Sequence, residues 1–189
     1  MNRLIVASAN KGKIREIKEL LGDRYEIISM ADAGINIDIE ETGATFEENA
    51  AIKAKAIFAL CGCPGISDDS GLIVDALNGE PGVYSARYAG NEHDDEKNNQ
   101  KLLAKLKDKT DRSARFVSAV VYYDGKTLIS AEGRVEGKIL TEKKGDNGFG
   151  YDPLFYSTEL KKSFGEASAE EKNSVSHRAR AFKSLMEKL

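Results

Sequence analysis

The chain has 189 residues, 41% hydrophobic and 31% charged, which suits one globular domain over residues 1–189, of two lobes at most. A formal net charge of −3 gives no electrostatic reason for nucleic-acid binding. No apolar run reaches membrane-span length, and the N-terminus passes straight into a strand with no signal-peptide pattern, so the expectation is a cytoplasmic protein without membrane or nucleic-acid partners.

Arg3 to Ala7 reads as a short buried strand. Ser8-Ala9-Asn10-Lys11-Gly12-Lys13 follows, and then Ile14, Ile17, Leu20 and Leu21 recur at helical spacing. Strand, small polar loop and helix make an anion site, because the helix start offers free N–H groups and a positive dipole end. The loop lacks the Walker A spacing; a plain connection with solvated lysines is the competing reading. Tyr25 to Ser29 is a second strand. Asn36 to Glu41 is irregular. Thr45 and Glu48 then form a capping box ahead of a helix whose apolar stripe is Phe46, Ala50, Ala54, Ile57, Phe58 and Cys61. Lys53 sits between Ala50, Ala54 and Ile57, where it either snorkels outward or meets an anion. Cys61 and Cys63 read as reduced thiols ending this helix.

Ser67-Asp68-Asp69-Ser70-Gly71 precedes the apolar run Leu72-Ile73-Val74 and is expected at a strand edge or turn. Neighbouring side chains of an extended segment point to opposite sides, so the two carboxylates take different jobs. The pair holds a hard cation, supplies a general base, or is an Asx-type polar turn. Asp75 to Gly79 is a turn, Pro81 opens a short helix to Tyr88, and Asp94 to Leu106 is an amphipathic helix with Leu102, Leu103 and Leu106 inward. Arg115 to Tyr123 and Thr127 to Val135 form a hairpin about Asp124-Gly125, its first strand apolar on both faces and therefore central. That hairpin argues for a mixed sheet. Gly145 to Pro153 is a glycine-rich loop whose Phe149 and Tyr151 either stack on a planar ring or tuck into the core. Ser176 caps a final helix with His177 and Arg178 in its first turn, where cations oppose the helix dipole.

The set Ser8 to Lys13, Glu40-Glu41-Thr42-Gly43-x-Thr45-Phe46-x-Glu48-Asn49, Ser67 to Leu72, Pro81 to Tyr88, Gly148 to Pro153 and Ser176-His177-Arg178 resembles the inosine triphosphate pyrophosphatase family, from Leu4 to about Phe182. The resemblance implies an elongated two-lobed α/β fold around a long mixed β-sheet flanked by helices, and a homodimer. It implies a Mg2+-dependent hydrolase that cuts ITP, dITP and XTP to the monophosphate and pyrophosphate. By the same resemblance Ser8, Ala9, Asn10, Lys11, Gly12, Lys13 and Lys53 hold the triphosphate. Asp69 accepts the proton and Ser70 touches substrate. Glu40 and Asp69 serve the metal, with Glu41 and Asp68 beside them. Phe149, Gly150, Tyr151, Asp152, Lys172, His177 and Arg178 form the base and sugar end. Two other readings are a haloacid-dehalogenase-type phosphatase, which wants Asp-x-Asp after the first strand where this chain has Ser8-Ala9-Asn10, and a nucleotide-binding module without turnover.

Overall fold

A computed structural model describes residues 2–91 and 93–189. The chain runs β1 (Asn2–Val6), α1 (Lys11–Leu21), β2 (Tyr25–Ser29), α2 (Phe46–Cys61), β3 (Gly65–Val74), short 3-10 turns at Asp75–Leu77 and Gly82–Arg87, α3 (Asp95–Lys105), β4 (Ser113–Tyr123), β5 (Leu128–Ile139), β6 (Phe155–Ser157), β7 (Lys162–Ser163), α4 (Ala169–Val175) and α5 (His177–Met186). The seven strands form one sheet in the order β2-β1-β3-β4-β5-β6-β7. β1 pairs in parallel with β2 and β3, while β5–β6 and β6–β7 are antiparallel. β4 and β5 are neighbours joined by only four residues, a connection too short for a parallel crossover. The sheet is therefore mixed, and β4 is its central strand. The hairpin turn is longer than Asp124-Gly125 alone suggests: Asp124 N–H donates to the Thr127 carbonyl, and Asp124 Oδ1 accepts from the Lys126 and Thr127 amides.

The fold divides into two compact units. The first comprises residues 1–69, 118–133 and 178–189, and the second residues 70–117 and 134–177. In the first unit the period of two along the strands sorts side chains cleanly. Leu4, Val6, Ile66 and Val120 pack with Ile17 and Leu21 of α1 and with Ala181, Phe182 and Leu185 of α5. Alternate positions serve α2 instead: Ile5 and Ala7 group with Ile57, and Val121 with Ala50 and Ala54. Helix α2 starts where its capping box puts it, with Thr45 accepting from the Glu48 amide. It also approaches β3 closely, since a Cβ on Gly65 would stand 3.0 Å from the Ile57 side chain and 3.1 Å from the Ala54 carbonyl.

The second unit has its own core of Leu72, Val74, Leu102, Leu106, Val135, Ile139 and Leu154 around aromatic rings. Phe155 lies 4.6 Å from Phe116 and 5.0 Å from Phe164, centroid to centroid. Helix α3 begins at Asp94, which caps the Lys97 amide, and buries Leu102 and Leu106 with Leu103 partly covered.

Candidate active site

Asp68 and Asp69 do not lie at a strand edge or turn. They sit in the middle of β3, an interior strand of ten residues, and both are buried. β3 is longer than its apolar run because Ser67, Asp68 and Asp69 each find a side-chain partner that an aqueous turn would otherwise supply.

The alternation of β3 sends the two carboxylates to different helices. Asp68 faces α1 and α5. Its Oδ2 is 2.9 Å from Lys13 Nζ and 3.2 Å from the Arg178 guanidinium, and its Oδ1 accepts from the Ser118 hydroxyl on β4. Burial alone would raise this carboxyl, but Arg178, Lys13 and Ser118 outweigh it and hold the group far below the usual carboxylate range. Arg178 is itself 1% exposed and paired to Glu16 on the buried face of α1 as well as to Asp68. Burial would lower its guanidinium; the two acids more than reverse that. Both Asp68 oxygens are thus engaged, one by Ser118 and the other by Lys13 and Arg178.

Asp69 faces α2. Lys53 does not snorkel; it is 8% exposed, with Nζ 2.8 Å from Glu41, 3.3 Å from Asp69 Oδ1 and 3.0 Å from the Asp68 carbonyl. One ammonium is thus shared by two carboxylates. Burial pulls the Lys53 ammonium down, but Asp69 and Glu41 override it and keep it above its ordinary value and charged. Burial pushes the Asp69 carboxyl up, against the pull of Lys53 and Lys13. Asp69 Oδ2 is buried and has no hydrogen-bond partner among the described residues. An orphaned carboxylate oxygen is costly unless something else uses it.

Glu40 and Asp69 are the residues expected on the metal, with Glu41 and Asp68 beside them; among the described residues no three His, Cys, Asp or Glu side chains converge to hold an ion. Glu40 is exposed and Glu41 half-buried, and the Lys53 ammonium occupies the ground between Glu41 and Asp69. A Mg2+ fit survives this. Mg2+ is commonly held by one or two carboxylates together with substrate phosphates, and Asp69 Oδ2 and Glu41 are hard oxygen donors of that kind.

Of the expected phosphate loop, Asn10 caps α1 by accepting from the Lys13 amide and Ser8 Oγ accepts from the Asn10 amide. Lys13 turns to Asp68, whereas Ser8, Ala9 and Lys11 line a cavity of about 780 Å³ on the other flank of α1, with Arg15 and Lys18. The cavity lining includes none of Lys13, Lys53, Asp68 or Asp69, so the charged cluster and this cavity are separate features of the unit. Gly12, the second residue of α1, is half-buried, and Ser70 is half-buried directly after Asp69.

In the second unit Asp152 and Lys172 form a buried pair, Nζ to Oδ2 2.6 Å. Asp152 Oδ2 also accepts from the Phe149 amide at 2.9 Å, and Lys172 Nζ stands 4.9 Å from the Phe149 ring centroid. Gly148 adopts φ +76, and a Cβ there would meet Asp152 Oδ2 at 2.1 Å, so only glycine lets this turn close. Tyr151 is not presented as a stacking ring: it is 5% exposed within the core, and its hydroxyl donates to the Ser85 carbonyl at 2.6 Å. His177 is buried and stacks on Phe116 at 4.9 Å. Arg178, grouped by sequence with His177 and Lys172, instead joins Asp68 and Glu16. Sequence reading missed Glu16, Ser118, Asp95 and Asn99. Glu16 has a signal, a carboxylate on the apolar stripe of α1 beside Ile17, and so does Ser118, the polar member of an apolar central strand.

A mixed seven-stranded sheet flanked by helices defines the class, an α/β protein, and this one carries a buried carboxylate–lysine cluster on β3. Residues 4–188 match the Ham1 family, and the chain belongs to that family. It is 50% identical to a dITP/XTP pyrophosphatase of Bacillus licheniformis over 98% of this chain and 96% of that one. It is 48% identical to a dITP/XTP pyrophosphatase of Clostridium perfringens over 100% and 98%. The solved Ham1 protein of Staphylococcus aureus superposes with a TM-score of 0.88 at 44% identity, covering 98% of this chain and 97% of that one.

Proposed function

We propose that this protein hydrolyses deaminated purine nucleoside triphosphates (ITP, dITP and XTP) to the nucleoside monophosphate and pyrophosphate; its relatives are named as pyrophosphatases of two of these, dITP and XTP. The observation that carries the chemistry is Asp69: a buried carboxylate, oriented by Lys53, with one oxygen unengaged. Water attacks the α-phosphorus, a P–O bond forms, and the bond to the β-phosphate oxygen breaks. Asp69 takes the water's proton, a general-base role worth ~10²–10⁴-fold, and its upward-shifted carboxyl suits that task. Lys53 and Lys13 supply positive charge to a substrate bearing about four negative charges. Asp68, fixed by Arg178 and Ser118, holds Lys13 in place. Asp69 and Glu41, with Glu40 next in the chain, would hold Mg2+, which when bound polarises the phosphoryl oxygens and stabilises the leaving pyrophosphate. In the second unit Phe149 and Lys172 recognise the base: the lysine donates to the O6 acceptor of hypoxanthine or xanthine and disfavours an amino group there. The 2′-hydroxyl plays little part, so ribo- and deoxyribonucleotides serve alike.

No helix among the described residues is long and apolar enough to cross a membrane. The protein acts in the cytoplasm, as a homodimer, on a small-molecule nucleotide. Incubation with dITP and Mg2+ tests the reading. Pyrophosphate is the expected product, lost in EDTA and restored by Mg2+. Inorganic phosphate alone would mean a phosphatase, and no product would mean a binding module. Sedimentation equilibrium tests the dimer.

A further inference from the structure

The glycine-rich turn of the second unit is held from both sides, and only one side belongs to the residues already given a role. On the first side Asp152 takes the Phe149 amide and the Lys172 ammonium. On the other stands α3. The Gly150 N–H donates to Asp95 Oδ2 at 2.9 Å, and the Gly150 carbonyl accepts from Asn99 Nδ2 at 3.0 Å. Asp95 and Asn99 are one helical turn apart on one face, so both polar groups of a single glycine residue are gripped by one rigid element. The preceding residue of that helix, Asn98, holds the end of the 3-10 segment that receives the Tyr151 hydroxyl: it donates to the Ala86 carbonyl and accepts from the Ala89 amide just beyond.

Asn99 carries a mark of function over stability. It is 4% exposed, and its Oδ1 is buried without a hydrogen-bond partner among the described residues. The amide cannot turn to relieve this, because the Gly150 carbonyl requires a donor. An apolar side chain of similar volume would remove the orphaned acceptor. Gly150 itself sits at φ +61, a left-handed conformation that glycine adopts freely and also leaves freely, so the turn depends on outside contacts for its shape.

We propose that Asp95 and Asn99 are positioning residues for base recognition: they clamp Gly150, and through it fix the neighbouring Phe149 ring beside Lys172. The clamp rests on the reading that this turn meets the purine. Ordering it in advance removes an entropic penalty from binding, so losing it raises KM and leaves the chemical step alone.

The test compares Asn99→Leu, Asp95→Ala and the conservative Asp95→Asn, which keeps an acceptor oxygen, in the full-length protein. Amide hydrogen exchange over residues 148–152 reads the clamp without substrate: about tenfold faster exchange is expected for Asn99→Leu and Asp95→Ala, and wild-type exchange for Asp95→Asn. With dITP, KM rises about tenfold in the first two variants while kcat stays within about twofold, and Asp95→Asn stays near wild type. Unchanged exchange overturns the clamp. Faster exchange with unchanged KM overturns its role in recognition. A fall in kcat together with Tm reduces the pair to a structural contact. Asp95 is exposed, so Asp95→Ala keeps the test open if Asn99→Leu misfolds. If the wild type does not turn over dITP or XTP, the proposed function fails, and exchange alone decides the clamp.

Discussion

The charged cluster of the first unit and the glycine turn of the second are built on different physics. Around Asp68 and Asp69, three cations and four carboxylates interlock through side chains: Lys13, Lys53 and Arg178 with Glu16, Glu41, Asp68 and Asp69. At Phe149 to Asp152 the buried Asp152–Lys172 ion pair stands with backbone groups gripped by Asp95, Asn99 and Asp152. The first arrangement fixes charge in a place where water cannot relax around it. The second fixes a shape. Removing a member of the first should change rate or stability steeply, while loosening the second should act on binding and by smaller factors.

The largest effect is expected at Asp69. Asp69→Asn removes the proton acceptor and should lower kcat by ~10²–10⁴-fold. It also removes a charge from a buried site, so Tm should hold or rise; near-normal kcat in the purified variant would end its assignment as the base. Arg178→Ala comes next. It strips the shared partner from Glu16 and Asp68, and breaking such a buried network costs about 3–5 kcal/mol, readable in urea unfolding. Use of ITP and ATP should then fall by the same factor. A narrowed ITP-to-ATP ratio with stability intact would instead return Arg178 to the base end, where its sequence neighbours placed it. Lys53→Ala loses charge-assisted bonds worth about 1.5–3 kcal/mol each, and kcat/KM should fall at least about tenfold. A lowered Tm with kcat/KM unchanged would make Lys53 a structural lysine only. The smallest effect belongs to the second region: Tyr151→Phe deletes one bond to the Ser85 carbonyl and should cost about 0.5–1.5 kcal/mol of stability. A large rise of KM in this variant would show that the Tyr151 hydroxyl contacts the ligand.

Local physics made much of this legible. The capping box at Thr45 and Glu48, the strand Tyr25 to Ser29, the central β4 and the helix after Asp94 all follow from residues within a few positions of one another, and each stands where expected. What escaped depends on contacts between distant segments. Glu16 meets Arg178 across 162 residues and Ser118 meets Asp68 across 50. Periodicity marks Glu16 as inward but cannot name its partner. Tyr151 reads equally well as a stacking ring or a core residue until the Ser85 carbonyl is in place to receive its hydroxyl. Lys53 looks like a snorkelling lysine because nothing near it in sequence announces Glu41 and Asp69 as neighbours.

The two adjacent aspartates on one interior strand also restrict how this chain can vary in length. The side of β3 is assigned by parity, so a one-residue slip upstream of Asp68 would exchange the faces of the two carboxylates. The anchored one would turn to Lys53 and the reactive one to Arg178 and Ser118, each meeting the other's surroundings with no change in composition. Substitutions in β3 can be graded by size and charge, but an inserted or deleted residue cannot.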